Sequence, residues 1–371
     1  MLVSEILAIK GKVLFTIAPN RRIAEAVEIM NEQDVGSLVV FSRGEMVGML
    51  TFREVLVTVQ KAGADWQSLT VGEGMLHDPR SAGADGSCDP PADFPATGGD
   101  NVEKIWLKSY RPGVPAEIDV NEFGSLGELF ERSVARFAAK PAYVCMGKTI
   151  SYAELDAQTA HFGAFLQSEL GLPKGARVAL MMPNVLQYPI ALFGALRAGY
   201  TVVNVNPLYT ARELEHQLKD AGADAIVILE NFAHTLEHVR ARVPVKHVVV
   251  ASMGEMLGFP KGAIVDFVVR CVRKMVPAWT LDGHVRFAEA LRRGKAHTLQ
   301  PVQMGHDDIA FLQYTGGTTG VAKGAMLTHR NIIANLQQAH AWIAPNVGEG
   351  SETIITALPL YHIFSLTANC L

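Results

Sequence analysis

Short aliphatic runs separated by amphipathic segments dominate the second half of the chain. The runs are VALMM at 178–182, TVVNV at 201–205, AIVIL at 225–229 and HVVVA at 247–251. They are apolar at successive positions, not at alternate ones, which is typical of strands buried on both faces. Strands of this kind alternating with helices predict an α/β fold in which helices layer parallel sheets.

A hydroxyl residue followed three positions later by glutamate precedes helical periodicity at three places. In such a capping box the hydroxyl accepts a hydrogen bond from a free amide of the first helical turn. The carboxylate accepts a hydrogen bond from the amide of the hydroxyl residue. The pairs are Ser125 with Glu128, Ser151 with Glu154, and Thr210 with Glu213. We therefore expect amphipathic helices to begin at these points.

The first 75 residues have a smaller pattern of their own. VLFTIAP and GSLVVFS have strand composition and flank a helix predicted at 21–33, whose Ile23, Val27 and Met30 share one face. The strand EMVGMLTF and a further helix follow, so we predict a β-α-β-β-α module. A second copy of the pattern is predicted to start at 69–75.

Residues 76–101 differ in composition from both flanking regions. Gly, Pro, Ala and Asp replace the aliphatic residues that a core requires. We predict a disordered linker there, which divides the chain into a module at 1–75 and a larger domain at 102–371.

Charge and cysteine content exclude several classes of protein. The net charge of -4 and the pI near 6.3 provide no basic surface, so no nucleic-acid partner is expected. The four cysteines are scattered without a C-x-x-C pair, which disfavours zinc sites and disulfides. The sequence has neither a basic-then-apolar leader nor a run of about 18 apolar residues. A cytoplasmic location is therefore expected.

The segment YTGGTTGVAKG at 314–324 directly follows an apolar strand predicted at 309–312. Its glycines allow the backbone to approach a ligand, so that successive amides converge on phosphate oxygens. Threonine hydroxyls add donors, and the flexible ammonium of Lys323 can reach the β and γ phosphates. The segment therefore predicts a polyphosphate-binding loop.

The residue order of this loop differs from the common nucleotide loops. Ala322 precedes Lys323 and Gly324 follows it, so the segment is neither G-x-x-x-x-G-K-[ST] nor G-x-G-x-x-G. Residues 325–327 are predicted to form a strand before Thr328 caps a helix, so the loop joins strand to strand. A flexible Gly–Thr hairpin without a ligand is the alternative interpretation.

YTGGTTGVAKGAMLTHRN closely resembles the phosphate loop of AMP-forming acyl-CoA ligases, within the adenylate-forming enzymes. Two further segments, TISYAEL at 149–155 and RAGYTVVNVNP at 197–207, resemble the family in the same order. The segments VEKIWLKSYRPGVPAEID and LPLYHIFSLTANCL resemble bacterial long-chain fatty-acid ligases in particular. The resemblance covers residues 102–371.

This resemblance implies that a fatty carboxylate attacks the α-phosphate of ATP, forming acyl-AMP and pyrophosphate, and that CoA then displaces AMP. It implies ATP, CoA and a long-chain fatty acid as substrates and Mg²⁺ as cofactor. The residues implied to hold the ATP phosphates are Thr315, Gly316, Gly317, Thr318, Thr319, Gly320 and Lys323. Catalytic roles are also implied for Lys323 and Thr318, and no metal ligand is assigned.

By the same resemblance, the motif PLYHIF at 359–364 lines the acyl site. His362 is expected near the carboxylate with a catalytic role, and Tyr361 near the nucleotide or the acyl tunnel. Without the resemblance, a histidine beside apolar neighbours is more often a hydrogen-bonded core residue. Both interpretations of His362 remain open.

Other elements of the family are not found in this sequence. They are an aromatic-Gly-x-Thr-Glu motif with an acidic metal ligand, an aspartate for the ribose, and a lysine of a mobile C-terminal domain. We therefore expect that the sequence as written does not by itself catalyse fatty-acid-dependent ATP–pyrophosphate exchange. The alternative functions are an adenine-nucleotide-sensing regulatory protein and a gene fusion without function.

The run GMLTFREV at 48–55 resembles a CBS domain, which usually pairs with a second copy to bind adenosine ligands. The resemblance covers residues 1–75 and nominates Thr51 and Glu54 for ribose and phosphate, although Glu54 stands where the family has Asp. A capping box formed by Thr51 and Glu54 explains both residues without a ligand. Both interpretations remain open.

The segment KGAIVDFVVRCVRKMVPAW at 261–279 places Ile264, Phe267, Val268, Cys271 and Met275 on one helical face. With its basic residues, such a helix can contact a membrane surface, which would make the protein peripheral at the inner membrane. The alternative is an ordinary amphipathic helix packed on the sheet. Self-association as a homo-oligomer is also compatible with the sequence.

Overall fold

The computed structural model describes residues 15–32, 35–43, 45–77, 104–315 and 322–371. These residues form two compact units, one within 15–77 and the other at 105–315 and 322–371. Residues 78–103, which include most of the predicted linker, lie outside the described residues.

The smaller unit contains helices packed on a sheet with the strand order β1-β2-β3-β4. The strands are β1 (Thr16–Ile17), β2 (Ser37–Ser42), β3 (Glu45–Thr51) and β4 (Leu76–His77). The helices are Ile23–Glu32, Phe52–Ala62 and Val71–Gly74, with a 3₁₀ helix at Gly63–Ser68. β1 and β2 are parallel and the other neighbours are antiparallel. Ile23, Met30, Leu38 and Leu50 are buried in its core, and the β-α-β-β-α order is observed.

Residues 69–77 complete this same sheet. The amide of Ile23 donates to the carbonyl of Leu69 (2.9 Å), and the amide of Val71 donates to the carbonyl of Arg21 (2.7 Å). β4 then pairs with β3. The segment predicted to start a second copy is thus part of the first unit, and the sheet extends two residues beyond residue 75.

The larger unit has a mostly parallel sheet in the order β11-β10-β9-β7-β8-β12-β13, beside a hairpin of β5 and β6. The hairpin strands are β5 (Pro141–Cys145) and β6 (Lys148–Ser151). The sheet strands are β7 (Arg177–Met181), β8 (Thr201–Asn204), β9 (Ala225–Leu229), β10 (His247–Ala251), β11 (Val285–Arg286), β12 (Ile309–Thr315) and β13 (Lys323–Thr328). β13 is the antiparallel edge strand, and its pairing with β12 confirms the predicted strand-to-strand connection.

Each central strand contributes side chains to both faces of the sheet, and both faces are buried. Val178 and Leu180 belong to one core cluster, whereas Ala179 and Met181 of the same strand belong to the other. The same alternation occurs along β9 and β10. The successive apolar positions in the sequence are thus explained by helix layers on both sides, and the α/β prediction is confirmed.

Four α-helices of the larger unit begin directly after the capping residues that the sequence predicts. The α-helices are Leu126–Phe137, Tyr152–Ala164, Gln187–Arg197, Ala211–Ala221, Ala233–Val239, Lys261–Phe267, Phe287–Gly294, His329–Ile343 and Ile363–Ser365. Short π-helical turns at Phe165–Glu169, Val268–Val272 and Leu366–Cys370 continue three of them, and 3₁₀ helices occupy Ile105–Ser109, Glu230–Phe232, Arg240–Arg242 and Ala344–Asn346. Ser151 and Thr210 form complete capping boxes, Ser125 accepts the amide of Glu128, and Thr328 caps the helix after β13.

Candidate functional site

The predicted phosphate loop is carried by the hairpin of β12 and β13. Thr315 ends β12 and lies directly opposite Lys323, the first residue of β13, and both are exposed. The intervening residues that were assigned to the phosphates, namely Gly316, Gly317, Thr318, Thr319 and Gly320, lie outside the described residues. The hairpin therefore brings the two ends of the loop together at the carboxyl end of β12.

The helix Ala211–Ala221 braces both sides of the hairpin base. The hydroxyl of Tyr314, just before the loop, donates to Asp220 at 2.5 Å, and Nε2 of His216 lies 3.1 Å from the carbonyl of Ala322, just after it. Burial, together with the bond to Asp220, raises the pKa of Tyr314, so this hydroxyl keeps its proton. A Cβ on Gly324 would lie 2.9 Å from the Tyr314 ring, which explains the glycine opposite Tyr314.

The segment 356–362, which contains the predicted acyl motif, is held largely by side chains of neighbouring elements. Nδ2 of Asn184 donates to the carbonyls of Thr356 (3.1 Å) and Leu358 (2.9 Å), and its Oδ1 accepts from the amide of Leu360 (2.8 Å). Asn184 follows β7, so this single side chain ties three positions of the segment to the carboxyl edge of the sheet.

A second attachment is a chain of buried polar side chains. The Tyr188 hydroxyl lies 2.7 Å from Oδ1 of Asn204 and 2.9 Å from the carbonyl of Leu360. Nδ2 of Asn204 donates to Oε1 of Gln313 (3.0 Å), and Nε2 of Gln313 donates to the carbonyl of Tyr361 (3.0 Å). Gln313 precedes Thr315 by two residues on β12, so it links the predicted acyl motif directly to the strand that leads into the predicted phosphate loop.

Replacing Gln313 with leucine should loosen the acyl segment selectively. The substitution leaves Asn204 Nδ2 and the Tyr361 carbonyl without their partner, which costs about 1–3 kcal/mol, or roughly 5- to 150-fold in a local opening equilibrium. Hydrogen exchange of the amides at 358–366 should accelerate accordingly. The exposed Gln338, replaced by leucine, is the matched control. Unchanged exchange at 358–366 in Gln313→Leu would show that the link does not hold the segment.

His362 is exposed, so the interpretation of this residue as a core histidine is wrong. It begins the helix Ile363–Ser365, and its Nδ1 accepts from the amide of Phe364 at 3.3 Å. In the neutral ring this bond leaves the proton on Nε2, which can donate to a carboxylate. Tyr361 is half-buried beside it and is held through its carbonyl by Gln313.

Thr315, Lys323, Tyr361 and His362 thus belong to one edge of the sheet, where the parallel strands end. Ligands of open α/β sheets bind at such edges. The sequence interpretation missed the side chains that support this edge, namely Asn184, Tyr188, Asn204, His216, Asp220 and Gln313. A signal existed for two of them, because Asn204 and Gln313 are polar residues inside otherwise apolar strands.

The described residues include no group of three or more His, Cys, Asp or Glu side chains that could hold a metal ion. Lys323 is positively charged and has no lone pair for a divalent cation, so it suits phosphate oxygens. Among the described residues no acidic set fits a resident Mg²⁺, and no chemical step is assigned to one below.

In the smaller unit, Thr51 and Glu54 bond to each other. The Thr51 hydroxyl donates to the Glu54 carboxylate and accepts from the amide of Arg53 at 3.2 Å. The bond from Thr51 is the main cause that lowers the pKa of Glu54. Both residues are engaged at the start of the helix Phe52–Ala62, as the capping interpretation expects.

Two curated relatives match the larger unit over similar lengths. The long-chain-fatty-acid--CoA ligase of Escherichia coli O6:H1 is 54% identical over 270 residues, which are 73% of this chain and 48% of that protein. The enzyme of the same name from Haemophilus influenzae is 52% identical over 273 residues, again 73% and 48%. The chain thus spans about half the length of the curated relatives it matches.

A solved structure and two family models complete the comparison. The crystal structure of a long-chain-fatty-acid-CoA ligase from Archaeoglobus fulgidus has a TM-score of 0.54 at 24% identity, covers 70% of this chain and 46% of that one, and shares the fold. The CBS domain model matches residues 3–61. The model described as AMP-binding enzyme matches residues 130–371, well over half of the chain. The chain therefore belongs to the AMP-binding enzyme family.

Proposed function

We propose that this chain provides the phosphate-binding and acyl-binding edge of an AMP-forming long-chain fatty-acid–CoA ligase. The observation that carries the proposal is the buried link from Gln313 to Tyr361, which joins the strand of the phosphate loop to the acyl motif. The likeness to long-chain-fatty-acid--CoA ligases over 270 residues supports the choice of substrate.

In the proposed reaction a carboxylate oxygen of the fatty acid attacks the α-phosphorus of ATP. The bond to the bridging oxygen breaks, and pyrophosphate leaves with the electron pair. The thiolate of CoA then attacks the acyl carbon and displaces AMP. Lys323, Thr315, Thr318 and Thr319 hold the departing pyrophosphate, because positioned donors are most effective where charge develops. His362 orients the fatty carboxylate through its Nε2–H.

The remaining partners follow from the same proposal. ATP and CoA are substrates, and Mg²⁺ would supply positive charge that neutralises phosphate oxygens. The fatty acid is poorly soluble in water, so we propose that the protein contacts the cytoplasmic face of the inner membrane peripherally. Among the described residues, no helix is both long and apolar enough to cross a bilayer.

Two measurements test the proposal, one for ATP binding and one for the complete adenylation reaction. Calorimetric titration of the purified chain with ATP tests the phosphate loop alone, with Lys323→Ala as the negative variant. Fatty-acid-dependent ATP–pyrophosphate exchange, measured on the natural polypeptide that carries this sequence, tests the reaction. Exchange that is supported by acetate but not by palmitate would contradict the long-chain assignment, and absence of ATP binding would contradict the proposal as a whole.

Replacing His362 with alanine should raise the KM for the fatty acid more than the KM for ATP. Loss of a hydrogen bond to a charged group costs about 1.5–3 kcal/mol, so the KM for the fatty acid should rise about tenfold or more. The exposed His340, replaced by alanine, is the control. A raised KM for ATP with an unchanged KM for the fatty acid would assign His362 to the nucleotide instead.

A further inference from the structure

An exposed row of large apolar side chains lies along the helix at 261–272 and its two ends. The members, here called the apolar strip, are Phe259, Ile264, Phe267, Val268, Val272 and Met275. Phe259 is 94% exposed, and Ile264, Phe267, Val272 and Met275 are each more than half exposed. The interpretation of this segment as a helix whose apolar face packs on the sheet is therefore wrong.

The helix is attached to the protein by its polar and glycine face. Gly262 is buried so close to Gly254 that a Cβ would lie 2.3 Å from the Gly254 carbonyl oxygen. One turn later, the Asp266 carboxylate accepts from the Ser252 hydroxyl (2.8 Å) and the Gly254 amide (2.7 Å). Another turn later, Arg270 forms two hydrogen bonds with the buried Glu230. These contacts at spacing four fix the helix with its apolar side toward solvent.

The charges around the apolar strip have one sign. Lys261, Arg273 and Lys274 are exposed, and the one acidic residue of 259–275, Asp266, is turned inward to Ser252. The Lys261 ammonium donates to the carbonyl of Met146, which brings the exposed Met146 side chain of the β5–β6 turn next to the helix. The surface is thus apolar in its centre and positive at both ends.

This charge pattern indicates which partner binds the apolar strip. In a symmetric dimer the same patch faces itself, so a second copy would place the cations Lys261, Arg273 and Lys274 of one copy against cations of the other. An anionic bilayer surface instead offers acyl chains for the apolar strip and negative headgroups for the three cations. We propose that the apolar strip docks this protein on anionic lipid bilayers. The proposal deepens, and rests on, the proposed use of a long-chain fatty acid, because such acids partition into the bilayer.

Vesicle flotation of the purified chain tests the docking. The chain should float with vesicles of phosphatidylcholine and phosphatidylglycerol at 7:3 and much less with pure phosphatidylcholine. The double variant Phe259→Ser/Phe267→Ser should lose binding to the mixed vesicles by about tenfold or more. The control Leu56→Ser removes an exposed apolar side chain from the other unit and should bind as the parent does. Arg273→Gln/Lys274→Gln should reduce binding about tenfold or more and remove the preference for anionic lipid.

The alternative outcomes are separable. Equal flotation of the parent and of Phe259→Ser/Phe267→Ser would overturn the assignment, as would absence of flotation of a parent that binds ATP normally. The surface would be assigned to a second copy if the parent did not bind lipid and sedimentation equilibrium showed a dimer that dissociates in Phe259→Ser/Phe267→Ser. Failure of the proposed ligase function would appear as loss of ATP binding, with flotation unaffected.

Discussion

Replacing Lys323 with alanine is expected to slow acyl-adenylate formation by about 10²-fold or more. Lys323 begins β13 opposite Thr315, at the base of the predicted phosphate loop, and it is exposed. Its charge is needed where pyrophosphate separates from the α-phosphate. The thioester step releases AMP and no pyrophosphate, so that step should be much less affected. Single-turnover assays of each half-reaction in the natural polypeptide measure the difference.

The matched control is Arg330→Ala, which removes an exposed cation shortly after β13. Preformed acyl-AMP and CoA supply the second half-reaction without ATP. If Lys323→Ala slows thioester formation from acyl-AMP as much as it slows adenylation, Lys323 does not act on the leaving pyrophosphate. If Arg330→Ala has the same effect as Lys323→Ala, the loop requires general positive charge and not a positioned ammonium.

The larger unit should lose about 3 kcal/mol of stability between pH 7 and pH 4 because of one buried histidine. His329 is fully buried, and its Nδ1 accepts from the amide of Leu126 at 3.0 Å. Burial lowers its pKa from 6.5 to about 4, although Asp308 acts in the opposite direction and His306 and Lys174 in the same one. Between pH 6.5 and pH 4, His329 is therefore protonated in the unfolded chain but neutral in the folded chain. The free energy of unfolding keeps this contribution above pH 6.5 and loses it as the pH falls toward 4.

His329→Asn isolates this contribution, because the asparagine oxygen can still accept from the amide of Leu126 and does not titrate. Urea unfolding followed by the signal of the larger unit should show a smaller decrease between pH 6.5 and pH 4 in the variant than in the parent. The loss caused by carboxylates with lowered pKa values that His329 does not influence, such as Glu154 and Glu213, begins near pH 5 and is common to both proteins. Parallel curves between pH 6.5 and pH 4 would show that the protonation of His329 is not coupled to unfolding.

Local features of the fold could be predicted because each depends on residues close in sequence. Ser151 and Thr210 begin helices through a glutamate three positions later, and Thr328 does so through Asn331. The fully apolar runs predicted strands buried on both faces, and the strand-to-strand loop predicted the antiparallel edge of β13. Several of these residues lie in the segments that resemble the AMP-forming acyl-CoA ligases, namely Ser151 in 149–155 and Thr328 in the loop motif that begins at Tyr314.

Helix starts, the parallel sheet and the strand-to-strand connection at the predicted phosphate loop could thus be inferred from the sequence. Which polar side chains meet depends on the arrangement of the strands, since Asn204 and Gln313 are 109 positions apart and are joined by strand order, which no local pattern encodes. The tertiary structure also decided which face of the helix at 261–272 is buried. The amphipathic pattern alone favours burial of the apolar face. The close approach of Gly262 to Gly254 and the hydrogen bonds of Asp266 fix the opposite orientation, because a buried backbone contact and satisfied polar groups hold the helix by its other side.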